Sequence, residues 1–196
     1  MDINQVIAHR VRALRNAHGY SLDVLAEHSK VSRSNISLIE RGQSSPTATV
    51  LQKLAAAFGV TLASLFEEVD VPVARPSPIA RAADQVRWTD PESGYVRRNL
   101  SAATRSPIQL VEVSFPAGQR VAYETSMRDT EIHQQVWIIE GTMEITVGDQ
   151  CWSLETGDCL SMRLDRPIVF RNPASAPARY LVALATLPST HSRRNA

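Results

Sequence analysis

The spacing of hydrophobic positions changes part-way along this 196-residue chain. Over residues 1–66, apolar side chains recur three or four positions apart, which is the period of an amphipathic α-helix. Over residues 105–187, apolar and polar positions alternate, as at Met143, Ile145 and Val147, which is the period of a half-buried β-strand. The pattern therefore predicts two domains, an all-α domain followed by an all-β domain.

The first domain is predicted to contain five short helices with well-marked ends. Three of them begin after a residue whose side chain can accept a hydrogen bond from the first turn, namely Ser21, Ser32 and Thr47. The helix that follows Ser32 is predicted to end at Gly42, and a tight turn through Ser29-Lys30-Val31 joins it to the helix before it. Two short helices joined in this way can place the second helix in the major groove of DNA. We therefore expect residues 1–68 to form a DNA-binding domain.

The segment between the two periodic regions has a different composition. Pro72, Pro76 and Pro78 fall within seven residues, and proline disfavours a continuous helix. Residues 69–104 are therefore predicted to be an extended linker and lead-in. Trp88 and Tyr95 mark the region where packing is expected to resume.

The second domain, residues 105–187, is divided by regularly spaced turn signals such as Glu140-Gly141 and Thr156-Gly157. Short strands at this spacing favour an antiparallel sandwich or barrel. The run from Val136 to Ile139 is apolar on both faces, so we expect one face in the core and the other covered by a second copy of the chain. Residues 188–196 are predicted to be a disordered tail.

The composition, 43% hydrophobic and 21% charged, is ordinary for a globular protein. No apolar run approaches the length of a membrane span and no signal-peptide pattern is present, so we expect a cytoplasmic protein. Cys151 and Cys159 lie in apolar, strand-like segments and are expected to be reduced thiols in the core. A disulfide or a redox sensor is the alternative.

The net charge of +1 divides unequally between the two domains. Residues 1–66 contain seven Lys and Arg residues and four Asp and Glu residues, a net charge of +3. The rest of the chain contains 14 Lys and Arg residues and 16 Asp and Glu residues, a net charge of −2. The excess positive charge therefore lies in the domain that is expected to face phosphates.

Three motifs cover the first domain. They are Arg-x-x-Arg-x-x-x-Gly-x-Ser-Leu-x-x-Leu-Ala over residues 12–26, Val-Ser-Arg-Ser-x-Ile-Ser-x-Ile-Glu-Arg-Gly over residues 31–42, and Leu-x-x-Leu-Ala-x-x-Phe-Gly-Val over residues 51–60. Together they resemble the helix-turn-helix domain of the Xre family of phage-repressor-like regulators. The resemblance implies a five-helix, lambda-repressor-like fold.

The same resemblance implies residue roles. The residues expected to bind DNA, by facing the groove or by contacting phosphates, are Ser21, Ser32, Arg33, Ser34, Asn35, Ser37, Leu38, Gln43 and Ser44. Arg33 is expected to contact a guanine or a phosphate, the alternative being a solvated side chain. Arg15 is expected to pair with Glu40 and to hold the bundle together.

Motifs of the second domain resemble a different family. Ile-Ile-Glu-Gly-x-Met-Glu-Ile-x-Val-Gly over residues 138–148, Thr-Gly-Asp over residues 156–158 and Arg-Asn-Pro over residues 171–173 are similar to the two motifs of a small cupin barrel. This resemblance implies an all-β double-stranded β-helix, or jelly-roll barrel. A helix-turn-helix domain, a linker and a cupin in this order form a recognised regulator architecture.

The chain departs from metal-binding cupins at the ligand positions. By motif spacing, these positions fall on Arg128, Thr130, Gln134 and Ile168. Such side chains do not provide the nitrogen and carboxylate ligands that a divalent transition metal needs, and a nearby His133 supplies a single imidazole. We therefore expect neither a metal nor another cofactor.

A mixed polar and apolar pocket is expected to remain in the barrel. Its predicted lining is Arg128, Thr130, Gln134, Val136, Met162, Ile168 and Phe170. An arginine and an amide beside apolar walls would suit a small carboxylate effector. The alternative is a barrel that is filled by its own side chains and serves only to dimerise.

Together these features predict a sequence-specific transcriptional regulator, a homodimer expected to act as a repressor, with an effector-sensing barrel. No catalytic triad or phosphate-binding glycine loop occurs in the sequence, so no catalytic residue is predicted and we expect a protein that is not an enzyme. Two other hypotheses are a cupin enzyme tethered to DNA and an antitoxin-like module that binds a protein partner.

Overall fold

The computed structural model describes residues 2–67, 77–102, 104, 106–124 and 130–188. In the first domain it contains four α-helices and one 3₁₀ turn: α1 (Ile3–Ala17), α2 (Leu22–Ser29), α3 (Arg33–Glu40), α4 (Ala48–Ala57) and the 3₁₀ turn Ala63–Phe66. The prediction of five α-helices was therefore wrong by one. The last segment is four residues long, and its amides bond to carbonyls three positions back, as Ser64 N does to Thr61 O at 3.1 Å.

The predicted helix caps are confirmed. The hydroxyls of Ser21, Ser32 and Thr47 accept hydrogen bonds from the amides three residues on, at 3.1, 3.3 and 3.4 Å. Gly42 follows α3 with a φ of +65°, and its amide donates to the carbonyl of Ile39. Left-handed backbone at this position favours glycine and ends the helix.

A charge-assisted contact joins α1 to α3. Arg15 donates to both carboxylate oxygens of Glu40, at 2.6 and 2.9 Å, and Glu40 is buried. Arg12 donates from the same helix to the carbonyl of Glu40 at 2.8 Å. The hydrogen bond to Glu40 raises the pKa of the Arg15 guanidinium. The pairing implied by the family resemblance is therefore confirmed.

The described residues after the helical domain form ten strands: β1 (Arg87–Thr89), β2 (Val96–Asn99), β3 (Ile108–Phe115), β4 (Arg120–Tyr123), β5 (Thr130–Glu140), β6 (Met143–Val147), β7 (Gln150–Leu154), β8 (Cys159–Arg163), β9 (Ile168–Arg171) and β10 (Ala178–Pro188). They form a six-stranded sheet, in the order β1-β2-β3-β10-β5-β8, and a four-stranded sheet, in the order β4-β9-β6-β7. Every pairing in both sheets is antiparallel.

Two of these strands lie inside the segment that was assigned to the linker and lead-in. Strand β1 pairs with β2, and β2 pairs with β3 of the six-stranded sheet. Trp88 and Tyr95 are both buried and their rings meet edge to face, so packing resumes at these residues. Pro72 and Pro76 lie outside the described residues.

Aromatic rings fill the space between the two sheets. Phe170 of β9 stacks on Tyr180 of β10, with ring centroids 5.9 Å apart. In β5, Val136 and Ile138 are fully buried, whereas Trp137 between them is 47% exposed. The expected division of this run into an inner and an outer apolar face is therefore present.

The two domains pack against each other. The Ala48 amide, at the start of α4, donates to Asp90 Oδ1 at 2.8 Å. Thr61 Oγ1 donates to Gln109 Oε1 of β3 at 2.7 Å. The rings of Phe66 and Trp88 lie 5.4 Å apart across the same junction. The helical domain is thus held against the β domain by hydrogen bonds and by ring packing.

The cysteines lie elsewhere than predicted. Cys151 of β7 and Cys159 of β8 are both free, and both are exposed. Strand β7 is exposed at four of its five positions, Cys151 among them, and Cys159 lies on the exposed face of the alternating strand β8. The assignment of both cysteines to the core was therefore wrong. Within the described ranges, no helix is long and apolar enough to cross a membrane.

Candidate DNA-binding surface and barrel cavity

Helix α3 exposes one face near its amino terminus. Ser32, Arg33 and Ser34 are exposed, while Ile36 and Ile39 on the opposite face are fully buried. The buried pair fixes the rotation of the helix about its axis, because both side chains pack into the helical core. The polar face is therefore directed outward.

The structure gathers most of the predicted DNA-binding residues around this face. Arg33, Ser34, Ser37 and Leu38 line one shallow groove. Asn35 is half-buried in the first turn of α3, and Ser21 is exposed at the start of α2. The loop after α3 contains the last two predicted residues, an exposed Gln43 and a half-buried Ser44.

Two further residues line the groove and were not singled out from the sequence. They are Leu22, at the start of α2, and the exposed Arg41, which caps the carboxyl end of α3. Arg33 Nε lies 3.2 Å from Asp23 Oδ1 in an exposed ion pair. Because such pairs contribute little in water, this contact orients Arg33 without fixing it strongly.

A cavity of about 60 Å³ is lined mainly by residues of the second domain. Of the predicted pocket residues, Gln134, Ile168 and Phe170 line it. Val136 and Met162 are buried but are not among the lining residues. Arg128 and the side chain of Thr130 lie outside the described part of the chain.

Among the residues that line this cavity, sequence reasoning missed three tyrosines and two arginines. They are Tyr95, Tyr123 and Tyr180, the buried Arg97, and Arg166, whose side chain is 61% exposed. Tyr95 and Tyr123 bring their hydroxyl oxygens within 3.0 Å of each other. Arg97 lies in β2, in the segment assigned to the lead-in, and a single arginine in a short strand more often lies at the surface. Alternation along this segment would instead predict an inward Val96, whereas the structure buries Tyr95 and Arg97 on either side of it.

His133 lies on the outer face of β5, away from this cavity. Its Nε2 is 3.0 Å from Glu131 Oε1, and its side chain is 46% exposed. Gln134, the next residue in the chain, points inward. The side chains of His133 and Gln134 therefore lie on opposite faces of the six-stranded sheet. No group of three or more His, Cys, Asp and Glu side chains comes together among the residues with described positions.

Comparison with known proteins identifies the first domain. Residues 11–65 match the HTH_3 family of helix-turn-helix domains. The amino-terminal domain is an HTH_3 domain. The matched range contains α2, α3 and α4, together with the groove and nearly all of the 3₁₀ turn.

Relatives with the same domain are regulators by name. The chain is 24% identical to the HTH-type transcriptional regulator PuuR of Escherichia coli strain K12 over 177 residues, covering 89% of this chain and 91% of that protein. It is 38% identical to the HTH-type transcriptional regulator SinR of Bacillus licheniformis over 66 residues, or 33% of this chain and 60% of that protein. These matches support DNA-binding regulation of transcription as the general role.

The whole architecture recurs in a solved structure. An HTH_3 family transcriptional regulator from Vibrio cholerae superposes with a TM-score of 0.73 at 20% identity, covering 93% of this chain and 96% of that one. The likeness shows that the two chains share a fold from the HTH_3 domain into the two antiparallel sheets.

The HTH_3 domain also contributes to the wall of the cavity. Gln52 of α4 and Thr61 and Leu62, which precede the 3₁₀ turn, line it together with the tyrosines and Arg97 of the β domain. The cavity therefore lies where the two domains meet. A group bound in it would contact both.

The buried tyrosines give a prediction for alkaline pH. Burial raises the pKa of Tyr95, Tyr123 and Tyr180, and the positive charge of Arg97 opposes this rise at all three. Because the folded pKa values exceed the unfolded value of about 10, stability is retained below that pH and is lost as the pH rises above it. We expect these phenolates to form only as the protein unfolds.

The measurement compares phenolate ultraviolet absorbance with circular dichroism in a Tyr20→Phe variant, which keeps only these three of the four tyrosines. The two signals should change together as the pH is raised. Stepwise ionisation with unchanged circular dichroism would show that the cavity is open to water.

Proposed function

We propose that this chain is a sequence-specific, homodimeric transcriptional repressor whose β domain, a cupin barrel, senses a small molecule. The observation that carries the DNA-binding part is the outward face of α3, where Arg33, Ser34 and Ser37 line one groove beside a capped helix start. Forked and short hydrogen-bonding side chains at such a position suit base edges in the major groove. The hydroxyl hydrogens of the capping Ser21 and Ser32 stay available for phosphates.

Dimerisation is proposed through the outer face of the six-stranded sheet. Trp137 and Ile108 are 47% and 52% exposed there, and Leu181 lies beside Trp137 in the register. Exposed apolar side chains of this kind are suited to the centre of a two-fold contact with the same face of a second chain, and the Arg98–Glu112 ion pair beside Leu181 would lie in its polar surroundings. The two α3 helices would then occupy half-sites about 34 Å apart, or a multiple of that distance.

The sensing role is supported by the position of the cavity. Its wall combines Thr61 and Leu62 of the HTH_3 domain with residues of both sheets. A ligand that contacts both domains can change their relative arrangement by as much as its affinities for the alternative arrangements differ.

The test of the DNA-binding proposal begins with selection of a preferred duplex from a random library by the full chain. Arg33→Ala should then weaken binding to that duplex by about 1–3 kcal/mol, or roughly 5- to 150-fold, with little effect on random duplex. Loss of a base contact removes discrimination, whereas phosphate contacts persist. Binding is measured by fluorescence anisotropy at fixed salt concentration.

Arg81→Ala is the matched control, because Arg81 is an exposed arginine outside the HTH_3 domain. It should leave both affinities unchanged. Equal weakening on selected and random duplex would reassign Arg33 to a phosphate contact. Failure of the full chain to enrich any duplex would refute the proposed function.

A further inference from the structure

The cavity contains a buried guanidinium that lacks a matching negative charge. Arg97 is 8% exposed, and it makes no ion pair within the described part of the chain. Its Nε is buried without a hydrogen-bond acceptor. Burying a charged group without a partner costs free energy, so the unpaired Arg97 lowers the stability of the native fold.

The carboxylates near the cavity are engaged elsewhere. Glu124 lines the cavity, but its side chain is 74% exposed and pairs with Lys53 at 3.2 Å. Asp90 accepts hydrogen bonds from the Ala48 amide and from the amide and hydroxyl of Ser93. Neither one neutralises Arg97. Within the described residues, the Arg97 guanidinium therefore has no carboxylate partner.

Most of the groups around Arg97 are neutral donors. Arg166 also lines the cavity, but its side chain is 61% exposed and lies 3.7 Å from Asp165. The hydroxyls of Tyr95, Tyr123 and Tyr180 border the same space, together with the amide of Gln134. The tyrosines stay neutral because burial raises their pKa values, so each keeps its O–H. Either Tyr95 or Tyr123 donates to the other, which leaves the hydrogen of the accepting hydroxyl and that of Tyr180 to face a ligand. A guanidinium and several hydroxyls around one cavity suit an anion.

The donor geometry of Arg97 and the apolar walls of the cavity narrow the class of anion that the cavity suits. Guanidinium binds a planar carboxylate through two parallel N–H donors, and the unpartnered Nε of Arg97 is one such donor. Phe170, Val182 and Leu184 supply apolar wall on other sides of the cavity. A single negative charge balances one guanidinium, whereas a doubly charged oxyanion would leave an excess of buried negative charge.

We propose that the cavity is a binding site for a small monocarboxylate with a hydrocarbon body, held by Arg97 and closed on one side by Gln52, Thr61 and Leu62 of the HTH_3 domain. This inference rests on the proposed sensing role and names its ligand class. It also replaces Arg128 with Arg97 as the anchoring cation. Occupancy would then be transmitted to the HTH_3 domain by direct contact.

The experiment is a calorimetric titration of the full chain with formate, acetate, propionate and butyrate, because a cavity of about 60 Å³ holds only a few non-hydrogen atoms. Acetamide, propionamide and butyramide serve as matched neutral probes, and inorganic phosphate and sulfate as competing anions. At least one carboxylate should bind saturably and more tightly than its amide, with a parallel rise in Tm. Binding of phosphate or sulfate alone, equal binding of acid and amide, or no binding by any probe would overturn the proposal.

Variants then locate the site. Arg97→Gln should reduce carboxylate affinity at least tenfold, because the amide keeps polarity and loses the charge. Tyr123→Phe removes only a hydroxyl and should reduce it about three- to tenfold, which gives a second readout if Arg97→Gln fails to fold. Arg163→Ala is the control, because Arg163 is an exposed arginine on the outer face of the sheet. Unchanged affinity in Tyr123→Phe and in a folded Arg97→Gln would place binding elsewhere and overturn the proposal.

Duplex selection with the same preparations separates this inference from the proposed function. Enrichment of a preferred duplex without carboxylate binding rejects the site and leaves the DNA-binding role standing. Carboxylate binding that depends on Arg97 but leaves duplex affinity unchanged supports the site and rejects the sensing role.

Discussion

Replacing Glu40 with alanine should lower the free energy of unfolding of the HTH_3 domain by about 3 kcal/mol. Glu40 is buried and accepts two hydrogen bonds from Arg15, whose side chain is only 17% exposed. Arg12 lies 3.7 Å from the same carboxylate. Removal of Glu40 leaves two guanidinium groups close together without the anion that joins them. The loss should therefore exceed that of an exposed ion pair.

Hydrogen exchange of the α1 and α3 amides in the full chain measures this effect, since local opening of the two helices exposes them. Exchange should be faster by about 100-fold. Glu27→Ala, at an exposed position of α2, is the matched control and should change exchange little. Glu40→Gln should recover part of the loss, because its oxygen still accepts from Arg15. Similar exchange rates in the Glu27→Ala and Glu40→Ala variants would show that the Arg15–Glu40 pair adds nothing to stability.

Replacing Asp90 with alanine should cost about 3 kcal/mol and loosen the junction between the domains. Asp90 is buried and accepts three hydrogen bonds, from the Ala48 amide at 2.8 Å and from the Ser93 amide and hydroxyl at 2.9 and 2.5 Å. Its negative charge also lies at the amino terminus of α4, where the helix dipole favours an anion. Without it, all three donors lose their acceptor.

The effect should be largest at the junction itself. Exchange of the amides in the first turn of α4 should accelerate, while the duplex preferred by α3 stays the same, because Asp90 lies in the other domain. Glu92→Ala is the control, since Glu92 is exposed two residues further on. Unchanged exchange at Ala48 in the Asp90→Ala variant would mean that the domains are held together without this carboxylate.

Features that depend on neighbouring residues were predictable from the sequence. The caps at Ser21, Ser32 and Thr47 and the end of α3 at Gly42 were all correctly placed. Each of them is set by hydrogen bonds that span only a few residues. Strand alternation was predictable for the same reason, because it follows from the two-residue period of extended backbone.

Features that depend on pairing between distant segments were not predictable. Arg97 could be assigned to the interior only once β2 had paired with β3, which fixes the face on which its side chain lies. The exposure of Cys151 and Cys159 was decided in the same way, by the side of the sheet to which their strands present them.

The sequence by itself determined the helix-turn-helix domain, its exposed polar face and the two-layer β domain that follows. The hydrophobic periods and capping hydrogen bonds that define these features span only one helical turn or a few strand residues. Only the tertiary structure decided that α4 and the two residues before the 3₁₀ turn close a cavity lined by Arg97 and three tyrosines. That arrangement brings together residues up to about 130 positions apart in the chain, from Gln52 to Leu184, through sheet pairing and domain packing that no local pattern encodes.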